Sequence, residues 1–425
     1  MAREMKDSGI AWIGEIPAEW DRVKFKYLHN GLNTGESIDK DYWSTDEKDD
    51  VFYTAGLTPI RTTYKDFPPW KYTQKNDILL ARNGTPYVYF PVEGACYSDH
   101  IIRASVKNSI NRKFVQYALQ QSIASVVVDS VSIATWSASL WDEQIIPWPN
   151  KNEQQRIVIF LDKECAYIDA VMEQTRASIE EYKKLKQAVI TQAVTKGIRP
   201  NRQMQPPLNK DYVSIPQDWS LERLKYITIE IVDCPHETPN YSADGLYYVI
   251  RTADQDYAKL RADKDMFRLS QSEYENRIRR LSLDKDDIVY GREGERWGLA
   301  CLVPESNKYC LGQRMMQFRC NTNKILPQFA VYALSSVYTR RQGEFDTFGS
   351  TSPHVNISTI RNYKIPLPGL AEQIEIVSYL DSQMKKIDAL ITKKESFIID
   401  MGNYKKALIY EYVTGKREIP NEQER

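Results

Sequence analysis

The chain writes one phrase twice. "IPAEWDRVKFKYL" (16–28) returns as "IPQDWSLERLKYI" (215–227), with Ile16/Ile215, Pro17/Pro216, Trp20/Trp219, Lys26/Lys225 and Tyr27/Tyr226 at a constant offset of 199. A longer pair follows: "IPWPNKNEQQRIVIFLDKECAYIDAV" from Ile146 matches "IPLPGLAEQIEIVSYLDSQMKKIDAL" from Ile365 at an offset of 219. That match runs without a gap through Lys186/Lys405, Ala188/Ala407 and Val194-Thr195/Val413-Thr414, with eighteen identities in fifty positions. Between the two lies a weaker correspondence of "KNDILLARNG" (Lys75 to Gly84) with "KDDIVYGREG" (Lys285 to Gly294), and then "YAL" at Tyr117 and Tyr332. Repetition on this scale sets the architecture before any local reading. Each half has the order opening phrase, variable segment, helical tail.

The tails carry helical periodicity. Ile157, Leu161, Cys165, Ile168, Met172, Ile179, Tyr182, Leu185 and Val189 advance mostly by three or four, and Ile376, Leu380, Met384, Ile387, Ile391, Ile398, Met401 and Leu408 keep much the same phase. Helices of about 40 residues are roughly 60 Å long, more than one small domain can bury, so the two stripes are expected to zip together as a coiled coil. The alternative is that each helix packs on its own domain. Pro147 and Pro149, and Pro366 and Pro368, mark the helix starts, and Gly197 and Gly415 the far ends. Residues 198–212, with three prolines and no periodicity, read as an extended connector.

The variable segments alternate short β-branched and aromatic runs ("VFYTAG", "DILLARNG", "YYVIRTAD", "DIVYGREG") with shorter helical stretches such as "RKFVQYALQQ", an α+β pattern. Both place an Arg-x-Gly turn directly after a strand: Arg82-Asn83-Gly84 and Arg292-Glu293-Gly294. Such a turn can hold a guanidinium toward a groove, to read guanine or clamp phosphate, or it can simply end a strand in a salt bridge.

Composition narrows the function. No GxxxxGK[ST] loop, HExxH, GxGxxG or Asn/Asp-Pro-Pro-Tyr/Phe stretch occurs, and the acid pairs Asp49/Asp50 and Asp286/Asp287 read as solvated turn residues rather than a catalytic dyad. Six scattered cysteines without a CxxC pair read as buried thiols, and the four histidines His29, His100, His236 and His354 have no metal-ligand spacing. Net charge is zero, which by itself argues against a nucleic-acid binder. Charge is nevertheless segregated: residues 1–50 carry 12 acids and 7 bases, residues 268–345 carry 13 bases and 9 acids. The N-terminal segment lacks a signal-peptide core and no stretch is apolar enough to span a membrane, so a cytoplasmic protein is expected.

The phrase "DSGIAWIGEIPAEW", the block "IPLPGLAEQIEIVSYLD" and the tail "IDALITKKE…YKKALIYEYVTGK" resemble the specificity subunits of Type I restriction–modification enzymes. The Pro-x-Pro-x-x-x-Glu-Gln start (Pro147, Pro149, Glu153, Gln154; Pro366, Pro368, Glu372, Gln373) followed by Leu161-Asp162 or Leu380-Asp381 carries the resemblance, which covers the whole chain. The copies differ at Trp148 against Leu367, and Gly349 to Thr351 has no clear counterpart near Ser130. The resemblance implies two globular α/β-mixed target-recognition domains separated by two long antiparallel helices forming a coiled coil, with an internal pseudo-twofold repeat. The expected boundaries are 1–145 and 213–364 for the recognition domains, 146–197 and 365–425 for the helices with the C-terminal tail, and 198–212 for the connector. The coiled-coil positions are Ile157, Leu161, Ile168, Met172, Ile179 and Leu185 against Ile376, Leu380, Ile387, Ile391, Ile398 and Leu408.

The resemblance further implies a non-catalytic subunit that binds an asymmetric two-part sequence of double-stranded DNA, with the helices setting the gap. Its implied partners are two methyltransferase (M) subunits, which use S-adenosylmethionine, and restriction/translocase (R) subunits, which use ATP and magnesium; this chain itself would hold no cofactor or metal. Candidate DNA contacts are Arg61, Thr62, Arg82, Thr85, Tyr87 and His100 in the first half, and Arg251, Arg292, Arg296, Trp297, Gln313, Arg314, Thr351 and His354 in the second. The rival readings are a nuclease or methyltransferase in its own right, and a coiled-coil scaffold that binds no DNA.

Overall fold

The computed structural model describes residues 3–125, 135–206, 213–261, 266–347 and 353–420. Ser130 and Gly349 to Thr351 lie outside the described residues. The chain forms two compact units, residues 1–175 with 396–425 and residues 176–395.

Each unit is built on a four-stranded antiparallel sheet of the same topology. In the first unit the strands are β1 (His29–Thr34), β2 (Asp77–Ala81), β3 (Val88–Tyr89) and β4 (Ile101–Val106), in the order β1-β4-β2-β3. In the second unit β5 (Thr228–Asp233), β6 (Ile288–Gly291), β7 (Ala300–Leu302) and β8 (Met315–Cys320) run in the order β5-β8-β6-β7. The uninterrupted apolar runs of β2 and β6 follow from burial on both faces. A helix packs beside each sheet, Arg112–Ala124 capped by the Asn111 side chain and Pro327–Leu334 started by its proline. A smaller sheet in each unit contains one parallel pairing, Asp50–Tyr53 with Cys96–Tyr97 and Tyr247–Ile250 with Tyr309–Leu311. Both units are thus α+β, and the six cysteines are buried and unpaired. Among the described residues no helix is long and apolar enough to cross a membrane.

The repeated residues make the same contacts in both units. The indole N–H of Trp20 donates to Glu153 at 2.8 Å and that of Trp219 to Glu372 at 3.0 Å, which ties each opening phrase to the first turn of a long helix. Arg3 and Arg202 pair with those same carboxylates, at 2.7 and 2.9 Å. The amides of Gln154 and Gln373 donate to the carbonyls of Pro149 and Pro368. The hydroxyls of Tyr117 and Tyr332 donate to Asp162 at 2.9 Å and Asp381 at 2.6 Å, and burial together with the adjacent carboxylate pushes both phenols well above their ordinary pKa.

The aspartate shared by "KNDILL" and "KDDIVY" corrects the reading of Asp287 as solvated. Asp287 is buried; it accepts from the Asp284 backbone N–H, from Gln317 at 2.7 Å, and from Nε and one terminal nitrogen of a bidentate Arg319. Asp77 likewise accepts from the Gln74 N–H and faces Arg103 at 3.6 Å. A carboxylate that caps the turn before a buried strand and braces the neighbouring strand's arginine leaves no unpaired buried charge.

The long helices are α1 (Lys151–Lys196) and α2 (Leu370–Val413), and a strand precedes each: Ile145–Trp148 pairs with Asp21–Lys24, and Lys364–Leu367 with Ser220–Arg223. In the first unit the helices run antiparallel, with the Phe160 ring 4.4 Å from Tyr412 and Lys405 bonded to Asp169 at 2.7 Å. In the second unit they do so again, through Lys186–Asp388 at 2.8 Å and Lys394 over the Tyr182 ring. Ile157, Leu161, Ile168, Ile179, Ile376, Leu380, Ile387 and Leu408 are buried, and Met172, Ile391 and Ile398 partly so. Leu185 is not a seam residue; it is 46% exposed. The buried face passes from Tyr182 to Lys186, four residues on, and Leu185 lies about 100° around the helix from Lys186.

The helices also complete the cores. Ile157, Leu161 and Ile168 share one cluster with Trp20, Phe114 and Ile146, and with Leu408, Tyr412 and Val413 from the end of α2. Ile376, Leu380 and Met384 share another with Trp219, Phe318 and Phe329, and with Ile190, Ala193 and Val194 from the end of α1. Both expectations for the helices therefore hold at once. Gly415, at φ 72°, ends α2 where a Cβ would come within 2.5 Å of Pro17.

Candidate nucleic-acid interface

The two Arg-x-Gly turns sit in one hydrogen-bonded frame, built twice. The Arg82 N–H donates to the His100 carbonyl at 2.8 Å, the Arg82 carbonyl accepts from the Trp136 N–H, and Asn83 bridges to Thr135. The Arg292 N–H donates to the Arg314 carbonyl at 3.2 Å, the Arg292 carbonyl accepts from the Val355 N–H, and Glu293 bridges to His354. Gly84 and Gly294 take φ values of 78° and 81°, the left-handed conformation that allows each chain to reverse beside its strand. The frame thus makes Arg82 equivalent to Arg292 and His100 equivalent to Arg314.

In the first unit the frame gathers Arg82, Thr85 and His100, all exposed, with Tyr87 half-buried against Tyr89. Among the described residues the Arg82 guanidinium donates to the Asp99 carbonyl at 3.3 Å, and the His100 ring meets the Asn83 amide at 2.8 Å. This is a polar, open cluster with donors to spare. Arg61 and Thr62 lie elsewhere, on the smaller sheet. Arg61 donates to the Asp49 carbonyl, and Thr62 is a fully buried strand residue whose hydroxyl donates to the Tyr42 carbonyl, so its side chain does not reach the surface.

The second unit uses the same frame differently. Arg292 is buried: its guanidinium faces Asp233 at 3.2 Å and Glu293 at 3.0 Å and contacts the rings of His236 and His354, both at 3.3 Å. It braces the turn instead of projecting from it. His354, half-exposed, bonds Glu293 through Nδ1 at 3.0 Å. Trp297 is a core residue beneath Arg340, whose guanidinium lies 4.8 Å from the ring, and it presents no surface for stacking. Arg296 is exposed at its edge and donates to the Gln255 carbonyl.

Three further candidates of this unit lie beside the turn. Arg251, Gln313 and Arg314 line an open cavity of about 300 Å³ with Tyr241 and Thr252. Arg251 is held by Asp254 through two hydrogen bonds of 2.8 and 2.9 Å and stacks on Phe267 at 3.7 Å; Gln313 accepts from Thr238. Arg314 is exposed. Sequence reasoning missed His236, Asp233 and Tyr241. The pairing of a rare histidine with an acid in "DCPHETP" was the available signal.

Asp233, Cys234 and His236 place ligand-type atoms within 4.8 Å of one another. The Arg292 guanidinium supplies the positive charge there, and burial pushes the Cys234 thiol up to about 11, which keeps it a neutral thiol.

Comparison with known proteins agrees with this duplicated architecture. The family described as Type I restriction modification DNA specificity domain matches residues 17–181 and again residues 233–398. The Type I restriction enzyme MjaVIII specificity subunit of Methanocaldococcus jannaschii is 23% identical over 96% of this chain and 95% of its own length. The EcoBI specificity subunit of Escherichia coli is 21% identical over 76% of this chain and 70% of its own. A chain from a solved structure on complex assembly and conformational transition of the type I R-M system superposes with a TM-score of 0.63 at 15% identity, covering 95% of this chain and 99% of that one. With the family matched twice over most of its length, the chain belongs to the Type I restriction–modification DNA specificity subunits.

Proposed function

We propose that this specificity subunit reads a two-part, asymmetric sequence of double-stranded DNA, one half through the turn region of each unit. Specificity subunits are the non-catalytic DNA-recognition components of Type I systems, so methylation and cleavage fall to partner subunits. The observation that carries the reading is the turn frame: identical backbone hydrogen bonds present different exposed side chains in the two units. A scaffold shared by both halves positions, and the side chains that differ specify. Arg82, Thr85 and His100 are the contacts proposed in the first unit, and Arg251, Gln313, Arg314 and Arg296 in the second. Asymmetry of the target then follows from asymmetry of these two sets. Helices α1 and α2 set the gap between half-sites. Two M subunits using S-adenosylmethionine and R subunits using ATP and magnesium complete the complex in the cytoplasm.

Exchange of residues 29–145 for the equivalent segment of a relative tests the assignment. Methylation mapping of DNA modified by the assembled complex should show one half of the target altered and the other half kept. Alteration of both halves would refute one-unit, one-half reading.

A further inference from the structure

Packing explains three of the five identities in the opening phrase. Ile16, Ile215, Trp20 and Trp219 are at most 6% exposed, and Pro17 and Pro216 are buried. Lys26-Tyr27 and Lys225-Tyr226 need another explanation, because Tyr27 is 61% and Tyr226 is 55% exposed. In both, the lysine ammonium lies over the following tyrosine ring, at 5.5 and 5.2 Å. The surroundings recur as well. The Tyr27 carbonyl accepts from Lys107 at 2.8 Å and the Tyr226 carbonyl from Lys324 at 3.0 Å. Lys24 and Lys26 meet Glu143 in the first unit, and Arg223 meets Asn362 at the corresponding place in the second. Each patch is an exposed tyrosine among three cations; where the first unit sets Glu143 against Lys24 and Lys26, the second has the neutral amide of Asn362 against Arg223.

The patch and the turn lie at opposite ends of the same sheet. His100 immediately precedes β4 and Lys107 immediately follows it; Arg314 precedes β8, whose far end, Cys320, pairs with Thr228 beside Tyr226. Six strand residues span about 20 Å. Residues that differ between the units therefore cluster at one end, and exposed residues that are the same cluster at the other. A phosphate-tracking surface would continue from the turn, whereas each patch lies a strand's length away from it. An exposed aromatic ringed by cations suits a carboxylate-bearing protein surface.

We infer that Tyr27 and Tyr226, with their flanking cations, are two equivalent docking points for two copies of one protein partner that presents carboxylates. The inference rests on the proposed reading in taking that partner to be the M subunit. Equivalent patches fit two copies of one partner, whichever sequence each unit reads.

The test uses the full-length chain with its purified M subunit and the variants K26A/Y27A, K225A/Y226A and all four changes together. Native mass spectrometry counts bound partners, and titration measures their affinity. Each double variant should bind one copy normally and the other at least tenfold more weakly; the quadruple variant should weaken both. Lys225→Glu, which leaves the ring in place, should weaken one copy in the same direction and serves if an alanine variant fails to fold. Two copies bound by the quadruple variant at wild-type affinity would overturn the inference. So would unchanged partner binding with weaker, less salt-dependent DNA binding, which would make the patch a phosphate contact. A wild-type complex without sequence preference on DNA would sink the reading of function instead, and the partner counts would still report on the patches.

Discussion

Asp388→Asn and Asp169→Asn change the same position of the repeat in two different surroundings. Lys186 is 3% exposed and its ammonium lies 2.8 Å from Asp388, which also accepts from Lys259. Lys405 meets Asp169 at 2.7 Å, but those side chains are 28% and 58% exposed. At 2.8 Å the gross Coulomb attraction is about 6 kcal/mol at an effective dielectric constant of ~20 and about 1.5 kcal/mol in water. Most of the larger figure is offset by desolvation, the Asp388 side chain keeps 32% of its surface in water, and Asp256 remains 3.9 Å from Lys186. Removal of Asp388 should therefore cost about 2 kcal/mol, below the ~3–5 kcal/mol of a fully buried pair, whereas removal of Asp169 should cost under ~1 kcal/mol. Hydrogen exchange read on peptides from residues 180–195 and 165–175 measures each loss locally, which suits a chain of two units better than one global transition. Burial raises the Asp388 pKa, but the hydrogen bonds from Lys186 and Lys259 outweigh it and hold the carboxyl below its usual value. A lowered folded-state pKa stabilises above the unfolded value, near 4, and that contribution is lost as pH falls through the folded value. The deficit of Asp388→Asn should accordingly be constant from about pH 6 to 8 and shrink below about pH 4. Adding Lys186→Met to Asp388→Asn should restore most of the loss. Equal losses for the two single variants would refute burial as the deciding variable.

Gly415→Ala should destabilise the first unit by about 2–3 kcal/mol, from its left-handed backbone and the Pro17 clash. Gly197→Ala, whose nearest neighbour is the flexible end of Arg202, should cost about 1 kcal/mol; thermal melting ranks the two. Burial pushes Cys301 and Cys310 up to about 12, and all six thiols are buried, so a thiol reagent at pH 8 should label none in the native chain and six after unfolding. Arg292→Ala should cost about 2–4 kcal/mol of local stability, because Asp233 and Glu293 lose their cation. Arg314→Ala should leave stability within about 0.5 kcal/mol and weaken binding to the cognate duplex by about 1–3 kcal/mol. Loss of DNA affinity with Arg292→Ala at unchanged stability would return Arg292 to direct readout.

The duplicated order, both long helices and the Arg-x-Gly turns were legible because each writes a local signature: an offset, a periodicity, a glycine after a strand. Leu185 shows where periodicity stops informing. Leucine at that spacing reads as a seam residue, yet the buried face contains Lys186, a residue that periodicity counts as polar and that becomes buriable only because Asp388 arrives from 202 residues away. The candidate contacts divide in the same manner. Arg82 and Arg292 hold the same place in the repeat, but Asp233 and His236, more than fifty residues earlier, bury one of them, while the first unit leaves the other in water.

By itself the sequence determined that two like units exist, that each has a sheet ended by an arginine turn, and that each tail is a helix with one apolar face. Tertiary structure alone decided what those faces meet. The end of α2 closes the core around Trp20, and the end of α1 closes the core around Trp219, so each unit is completed by the tail of the opposite half. An apolar stripe specifies that a surface must leave water and not which surface will cover it, since the hydrophobic effect is non-directional. The choice is made by shape and by singular contacts, such as the close seat of Gly415 on Pro17 and of Gly197 beside Trp219, that exist only once the chain is folded.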